Sequence, residues 1–322
     1  MSLRVMLSGI AVVVLLLPVV VTAQTYPDRP IRMIVPLTAG SGADIAGRIV
    51  GRKLTDGWKQ SVIADNRPGA GGQIGTQLVV NANPDGYTWL VQSASHAANP
   101  AIYEKLPYDS LKDLADVALL GTSPYIMVAA PAGPYRTLQT LIDAAKGKAG
   151  EVPYASAGVG SSTHLTGEYF AQAAGLKMIH VPYKGSPEAI TDAATGRVAF
   201  YMAPIGTAIG MAQENRVRVL GVTSAKRVAQ LPNVPTIAEQ GLAGFEMDLW
   251  FGVWVPAGTP RGVVQKINAD VSAALKAKDV LDQYEKLGMT PGALTAGQFA
   301  AFVRSEIGKY QGIVKAAGIK PL

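Results

Sequence analysis

Two loops of small and hydroxyl-bearing residues are the parts of this 322-residue chain whose composition best suits ligand binding. The first runs from Leu37 to Asp44 and follows Ile31–Val35, an apolar, β-branched segment that predicts a buried strand. The second runs from Ser156 to His164 and follows a short strand predicted at residues 152–155. Each loop leads into a helical pattern, and the backbone N–H groups at a helix start bind anions. A plain strand-to-helix connection in the first loop, and helix capping alone in the second, are the alternatives.

Other chemistries that such residues could support are not indicated. The glycines of the second loop and of residues 69–72 do not follow the G-x-G-x-x-G spacing of nucleotide sites, and we interpret residues 69–72 as a turn. The three histidines, His96, His164 and His180, have no acidic or histidine partner at metal-binding spacing. A G-x-S-x-G motif is absent, and Ser162 lies on the same predicted helix start as His164, so no catalytic triad is predicted. We therefore expect no metal, no cofactor and no enzymatic activity.

The composition is typical of a globular protein that binds a small anion. Apolar residues make up 48% of the chain and charged residues 16%, as in a folded protein with a large core. The net charge of +6 is spread without a run of Lys and Arg, which argues against nucleic acid and favours an anionic small molecule. The absence of cysteine excludes disulfides, thiol nucleophiles and lipid attachment at a cysteine.

The N-terminus has the pattern of a secretory signal peptide. Arg4 precedes the apolar run Val5–Val21, and Val21-Thr22-Ala23 fits a small-residue cleavage site. We predict that residues 1–23 are removed, that Gln24 begins the mature chain and that the protein is periplasmic. An uncleaved membrane anchor is the alternative, because the apolar run is near the lower length limit for spanning a bilayer.

The elements that must position the two loops alternate between strand and helix patterns, which predicts α/β units with mostly parallel sheets. Residues 117–130 are almost continuously apolar, as in a strand that passes from one lobe into the next. Residues 249–256 form an aromatic strand that could return the chain, and its Trp250 and Trp254 are predicted to lie in the core or at the hinge. The small polar segment 92–96 follows another predicted strand, at the carboxyl end where α/β sheets bind ligands.

A series of short motifs follows residue 23 in a distinctive order. They are Tyr26-Pro27-Asp28-Arg29-Pro30, Ile34-Val35-Pro36, Arg67-Pro68-Gly69-Ala70-Gly71-Gly72, Asp85-Gly86-Tyr87-Thr88, Gly158-Val159-Gly160-Ser161-Ser162 with His164-Leu165, Val181-Pro182-Tyr183-Lys184-Gly185, Pro232-Asn233-Val234-Pro235-Thr236 and Pro256-Ala257-Gly258-Thr259-Pro260. This ordered set resembles the solute receptors of tripartite tricarboxylate transporters, the Bug family. The similarity covers essentially the whole mature chain.

The resemblance implies a type II-like periplasmic-binding-protein fold with two lobes and two crossover strands. Lobe 1 would comprise residues 24–123 and 248–322, and lobe 2 residues 124–247. The protein would be a monomer that captures a small organic carboxylate between the lobes and delivers it to the membrane subunits of a tripartite transporter. A sensor that docks on a receptor kinase, or an exported hydrolase, are the alternatives. We expect closure around the ligand by bending near residues 122–125 and 246–249.

The resemblance also implies which residues contact the ligand. Carried over, they are Leu37, Thr38, Ala39, Gly40, Ser41, Asp44, Ser93, Ser156, Gly158, Gly160, Ser161, Ser162, His164, Tyr183 and Gly185. For Asp44, the residues by themselves favour an i,i+4 ion pair with Arg48 over ligand contact.

This chain departs from the family pattern at two places. Leu37, Thr38 and Ala39 stand where the family usually has an aromatic residue and two prolines. Ala199 and Ala203 replace acidic residues, which reduces the means of holding a ligand ammonium group.

Overall fold

The computed structural model describes residues 26–316, 318, 319 and 321, in which strands and helices alternate. The strands are β1 (Ile31–Val35), β2 (Val62–Asn66), β3 (Thr88–Ser93), β4 (Leu114–Ala129), β5 (Pro153–Ser156), β6 (Ile179–Pro182), β7 (Phe200–Pro204), β8 (Arg218–Val222), β9 (Asp248–Pro256) and β10 (Thr290–Pro291). The helices are α1 (Gly42–Trp58), α2 (Gln73–Val80), α3 (Ser95–Ile102), α4 (Leu138–Gly147), α5 (Ser162–Ala173), α6 (Ser186–Thr195), α7 (Ile205–Gln213), α8 (Arg261–Ala274), α9 (Lys278–Lys286) and α10 (Ala296–Ala316). The predicted signal peptide, residues 1–23, and the predicted mature start at Gln24 lie outside the described residues. Within the described part of the chain, no helix is both long and apolar enough to cross a membrane.

Two groups of parallel strands lie at the ends of one sheet. Strand β1 pairs in parallel with β2 and β3, and β5 pairs in parallel with β6 and β7. The complete order is β2-β1-β3-β9-β4-β7-β5-β6, with β8 and β10 also paired to β4. The prediction of an α/β fold is therefore confirmed. The expectation of mostly parallel sheets is wrong for the described strands, because β4 and β9 lie between the two parallel groups and form antiparallel pairs.

The strand β4 belongs to both halves of the sheet. Its residues 114–124 pair with β9, whereas residues 125–129 pair with β7 and β8. The apolar run predicted to pass from one lobe into the next is thus part of a single strand of 16 residues, and the strand is mostly apolar because it is covered along most of its length. The partners change between Pro124 and Tyr125, close to the expected bend; the lobe limits themselves stay a prediction.

Large aromatic side chains of β9 anchor the core between the two groups. Trp250 is 1% exposed and its Nε1 donates a hydrogen bond to Glu306 at 2.8 Å. Trp254 is fully buried and its Nε1 donates to Asp116 at 2.7 Å. The prediction that both tryptophans are core residues is confirmed, and each polar ring nitrogen has the partner that burial requires.

Three elements differ from the sequence interpretation. Segment 92–96 is not a loop, because β3 extends to Ser93 and α3 begins at Ser95. The pattern missed α3 because the helix is built from small and polar residues and contains Pro100. It also missed α7, a partly exposed helix rich in Gly and Ala. Strand β7 begins at Phe200, so Ala199 precedes it, whereas the sequence pattern places the strand start at Val198.

Candidate ligand-binding site

A cavity of about 210 Å³ lies where the carboxyl ends of the two parallel groups meet. It is lined by Pro36, Leu37, Gly69, Ala70, Gly71 and Gly72 from one group, and by Ala157, Gly158, Val159, Pro182, Tyr183 and Lys184 from the other. These residues follow or end β1, β2, β5 and β6, at the edge where open α/β sheets bind ligands. The volume equals that of about seven water molecules at roughly 30 Å³ each, so the cavity, here called the cleft, suits a small metabolite.

The start of α1 has no side-chain cap. Ser41 is the N-cap residue, and its side chain accepts no hydrogen bond from the helix. Asp44 instead holds the loop together: its Oδ2 accepts from the Gly40 N–H at 2.9 Å, and its Oδ1 accepts from Arg48 Nε at 2.8 Å and Asn66 Nδ2 at 3.0 Å. The i,i+4 pair favoured by the sequence is present. The buried carboxylate of Asp44 is therefore occupied by its own loop, which leaves the first-turn N–H groups of α1 without a side-chain acceptor.

The start of α5 is already capped. The Ser161 hydroxyl accepts from the His164 N–H at 3.2 Å, and His164 Nδ1 accepts from the Gly160 N–H at 3.3 Å. The Ser162 N–H donates to the Ser95 hydroxyl of α3 at 2.9 Å, a contact between residues 67 positions apart. The two helix starts are therefore not equivalent. In the second loop the Ser161 hydroxyl caps α5, whereas the Ser156 and Thr163 hydroxyls accept from the Gly158 and Ala157 N–H groups within the loop.

Two contacts bring the loops of the two strand groups together. A Cβ added at Gly185 would lie 1.8 Å from Thr38 Oγ1 and 3.1 Å from Ser41 Oγ, so only a glycine allows this approach. The backbone of Gly185 is extended and any residue could adopt it, so the restriction is one of space. On the other side of the cleft, the Tyr103 hydroxyl donates to the Val159 carbonyl at 2.9 Å. The loops are thus in contact, as in a closed binding protein.

Two stacked histidines support the second loop from behind. The His164 and His180 rings lie 3.8 Å apart between centroids, and His180 Nε2 lies 2.6 Å from the Ser156 hydroxyl, which also accepts from the Gly158 N–H. Burial lowers the pKa of His164 to about 4. Burial, and then the neighbouring His164, lower the pKa of His180 to about 3. Both rings are neutral at physiological pH, and since Ser156 is fully buried the Ser–His contact braces the loop and does not present a nucleophile.

The charged and polar groups at the cleft are few. The Tyr183 hydroxyl donates to Asp192 Oδ2 at 2.6 Å, and burial together with this carboxylate raises the pKa of Tyr183 to about 12. Lys184 is exposed, as expected, and is the one charged side chain among the residues that line the cleft. Ala199 and Ala203 lie in apolar core clusters. Across the described chain, no group of three or more His, Cys, Asp or Glu could hold a metal ion.

The structure distributes the fifteen expected contact residues over several positions. The cleft is lined by Leu37, Gly158 and Tyr183, and the contact between the loops is formed by Thr38, Ser41 and Gly185. The first loop is braced by Gly40 and Asp44, and the second is braced or capped by Ser156, Gly160, Ser161, Ser162 and His164. Of the remaining two residues, Ser93 is buried and bonded to Ser95, and Ala39 is exposed. Their role as ligand contacts stays a proposal.

The sequence interpretation missed the glycine loop 69–72, which lines the cleft rather than forming a plain turn. All four of its residues have positive φ, and Asn99 Nδ2 donates to the Gly71 carbonyl at 3.3 Å. Its place directly after β2 was the available signal, because the carboxyl end of a parallel strand at the ligand edge predicts a binding loop.

Comparison with known proteins identifies close relatives of this arrangement. The family model described as "Tripartite tricarboxylate transporter family receptor" matches residues 46–319. A structure of Rpa4515 from R. palustris with adipate is 31% identical, covers 92% of this chain and 100% of its own, and superposes with a TM-score of 0.89. The periplasmic binding protein BugD is 30% identical, with coverage of 92% and 100% and a TM-score of 0.87. MatC from Rhodopseudomonas palustris with bound malate is 29% identical, with coverage of 90% and 100% and a TM-score of 0.86.

Proposed function

The chain belongs to the tripartite tricarboxylate transporter receptor family, whose members are periplasmic solute-binding proteins, and on this basis we propose that it captures a small dicarboxylate in the cleft for a membrane transporter. Two of the related structures hold adipate and malate. Both are dicarboxylates without an amino group. The small volume of the cleft fits ligands of this size.

The uncapped start of α1 is the observation that carries the proposal. A helix start without a side-chain cap, at the end of a loop of small residues whose Leu37 lines the cleft, offers oriented N–H groups and the positive end of the helix dipole to an anion. We place one carboxylate of the ligand there, against the loop from Leu37 to Asp44. The start of α5 cannot offer the same donors, because Ser161, His164 and Ser95 already use them.

We place the second carboxylate towards the glycine loop 69–72 and Lys184. Backbone N–H groups in a run of positive-φ residues form a concave donor surface for an anion. Lys184 adds a positive charge at the exposed side of the cleft. Because that side chain is solvated, its contribution should be smaller than that of the backbone groups.

The cleft offers no partner for a ligand ammonium group. None of its lining residues is acidic, and the nearby carboxylates of Asp44 and Asp192 are bonded to Arg48 and Asn66, and to Tyr183 and Arg197. An acidic substitution at Ala203 would lie in an apolar cluster and not in the cleft. We therefore propose that the protein prefers dicarboxylates over the corresponding amino acids.

Calorimetric titration of the purified, ligand-free protein tests this assignment. Malate or adipate should bind, and aspartate, which carries an ammonium group in place of the malate hydroxyl, should bind much more weakly. Tight binding of aspartate with no binding of either dicarboxylate would contradict the proposal. Mass spectrometry of small molecules released from native protein identifies the physiological ligand independently. Loss of dicarboxylate uptake in cells that lack the gene would support delivery to a transporter.

A further inference from the structure

A groove of about 620 Å³ lies at the two crossover strands and shares no lining residue with the cleft. Its lining includes Thr122 and Pro124 of β4 and Asp248 of β9, which are neighbours in the paired strands. The remaining lining residues come from the segment after β8, residues 224–230, and from α9 through β10, residues 281–291. This groove, here called the hinge groove, therefore combines both crossover strands with segments on either side of them.

Asp248 has a buried oxygen without a partner. Its Oδ1 is inaccessible to solvent and accepts no hydrogen bond, although buried polar atoms in folded proteins are nearly always bonded. Burial raises the pKa of Asp248, and the carboxylates of Glu246 and Glu306 act in the same direction. Lys309 opposes them, but its Nζ lies 3.8 Å from Glu306 and so is shared with a second acid. Asp248 Oδ1 therefore has no bonded cation, and the lysine that opposes the acids is engaged by Glu306.

The hinge groove matches an organic cation better than a metal ion. Among its lining residues, Asp248 and Glu285 are acidic and Lys226 is basic, while Val228, Leu281 and Met289 provide apolar surface. Leu281 of α9 is 40% exposed and contributes part of this apolar surface. The described residues contain no cluster of three or more metal-ligating side chains. A compact charge with an apolar tail would use both features of the groove.

We propose that the hinge groove is a second binding site, which takes a small primary ammonium ion with a short apolar tail. Because Asp248 Oδ1 is closed to solvent, the ammonium group pairs with Oδ2 of the same carboxylate, and the tail packs against the apolar residues Val228 and Leu281. The site is separate from the dicarboxylate cleft, because the two share no lining residue.

Titration of the purified protein with butylammonium chloride, followed by NMR shifts or calorimetry, tests the site without any dicarboxylate. Butylammonium should bind saturably, and 1-butanol, which has the same tail and no charge, should bind at least about tenfold more weakly. Asp248→Asn keeps the shape of the side chain and removes its charge, so it should weaken butylammonium binding by about tenfold or more. Equal binding of butylammonium and butanol, or unchanged binding to Asp248→Asn, would overturn the proposal.

A second pair of variants leaves Asp248 in place. Ala229 lines the hinge groove and is exposed, so Ala229→Trp should fill the groove and abolish butylammonium binding without unfolding the protein. Ala301 is an exposed residue of α10 outside the groove, and Ala301→Trp should leave binding unchanged. Binding that survives Ala229→Trp, or that is lost equally in Ala301→Trp, would place the amine elsewhere and refute the site.

Discussion

Replacement of Gly185 by alanine should prevent the two loops from closing on the ligand. The added Cβ would lie 1.8 Å from Thr38 Oγ1, whereas Cβ contacts under 3.0 Å essentially do not occur. The loops must therefore separate by about 1.2 Å, the difference between these distances, or Thr38 must leave its rotamer. Overpacking of this kind costs about 1–3 kcal/mol. Since the clash exists only when the loops touch, that energy should appear as a loss of dicarboxylate affinity of about 5- to 150-fold.

A double-mutant cycle, measured by calorimetric titration with malate or adipate, isolates this contact. Thr38→Ala removes the atom that clashes, so Thr38→Ala/Gly185→Ala should recover most of the affinity lost by Gly185→Ala alone. Thr38→Ser keeps Oγ1 and is the matched control, which should not restore binding. Thermal unfolding of the ligand-free variants measures any separate effect of alanine at the N-cap of α6. Wild-type affinity in Gly185→Ala, or equal behaviour of the alanine and serine variants at residue 38, would show that the contact does not limit closure.

Three further predictions follow from the braces around the cleft. The folded-state pKa values of His164 and His180, about 4 and about 3, lie below the unfolded value near 6.5, so the unfolded state binds more protons and the stability should fall as the pH decreases from 6.5 towards these values. In the double variant His164→Gln/His180→Gln, the thermal midpoint should depend less steeply on pH. An unchanged slope would contradict the pKa assignment. Asp44→Ala should lower the free energy of urea unfolding by about 1–3 kcal/mol, because the Gly40 N–H and the Asn66 side chain lose a buried acceptor. Arg48→Ala removes only the exposed partner of the ion pair and should lower the free energy of unfolding by less than about 1 kcal/mol. Equal effects of the two variants would mean that Asp44 acts only through the ion pair. Gly71→Ala should weaken dicarboxylate binding, because the added Cβ would lie 2.6 Å from the Val159 carbonyl oxygen and the φ of residue 71 is +61°. Lys184→Ala should reduce the affinity by less than about fivefold, and the control Gly210→Ala, whose Cβ would meet no atom within 4 Å, should leave it unchanged. A larger loss of affinity in Lys184→Ala than in Gly71→Ala would refute backbone recognition of the anion.

Local sequence was sufficient for the fold class and for two of the loops that border the cleft. The apolar strands, the small-residue loops after β1 and β5, and the long apolar run that became β4 are properties of neighbouring residues. The same applies to the Asp44–Arg48 pair, because residues four apart on a helix are adjacent whatever surrounds them. The order of motifs was enough to recognise the family, which the comparison confirms.

Tertiary structure decided which donors remain for a ligand. The two loops look alike in sequence, yet Ser95, 67 residues earlier in the chain, occupies the Ser162 N–H, while no side chain caps α1. The stacking of His164 on His180, the contact between Thr38 and Gly185, and the position of the glycine loop 69–72 opposite Val159 likewise join distant segments. Helix α3, which supplies Ser95, is held by packing against α10 and has no amphipathic pattern that would reveal it. A donor is available only if no other part of the fold reaches it, and a local pattern carries no information about which distant groups will do so.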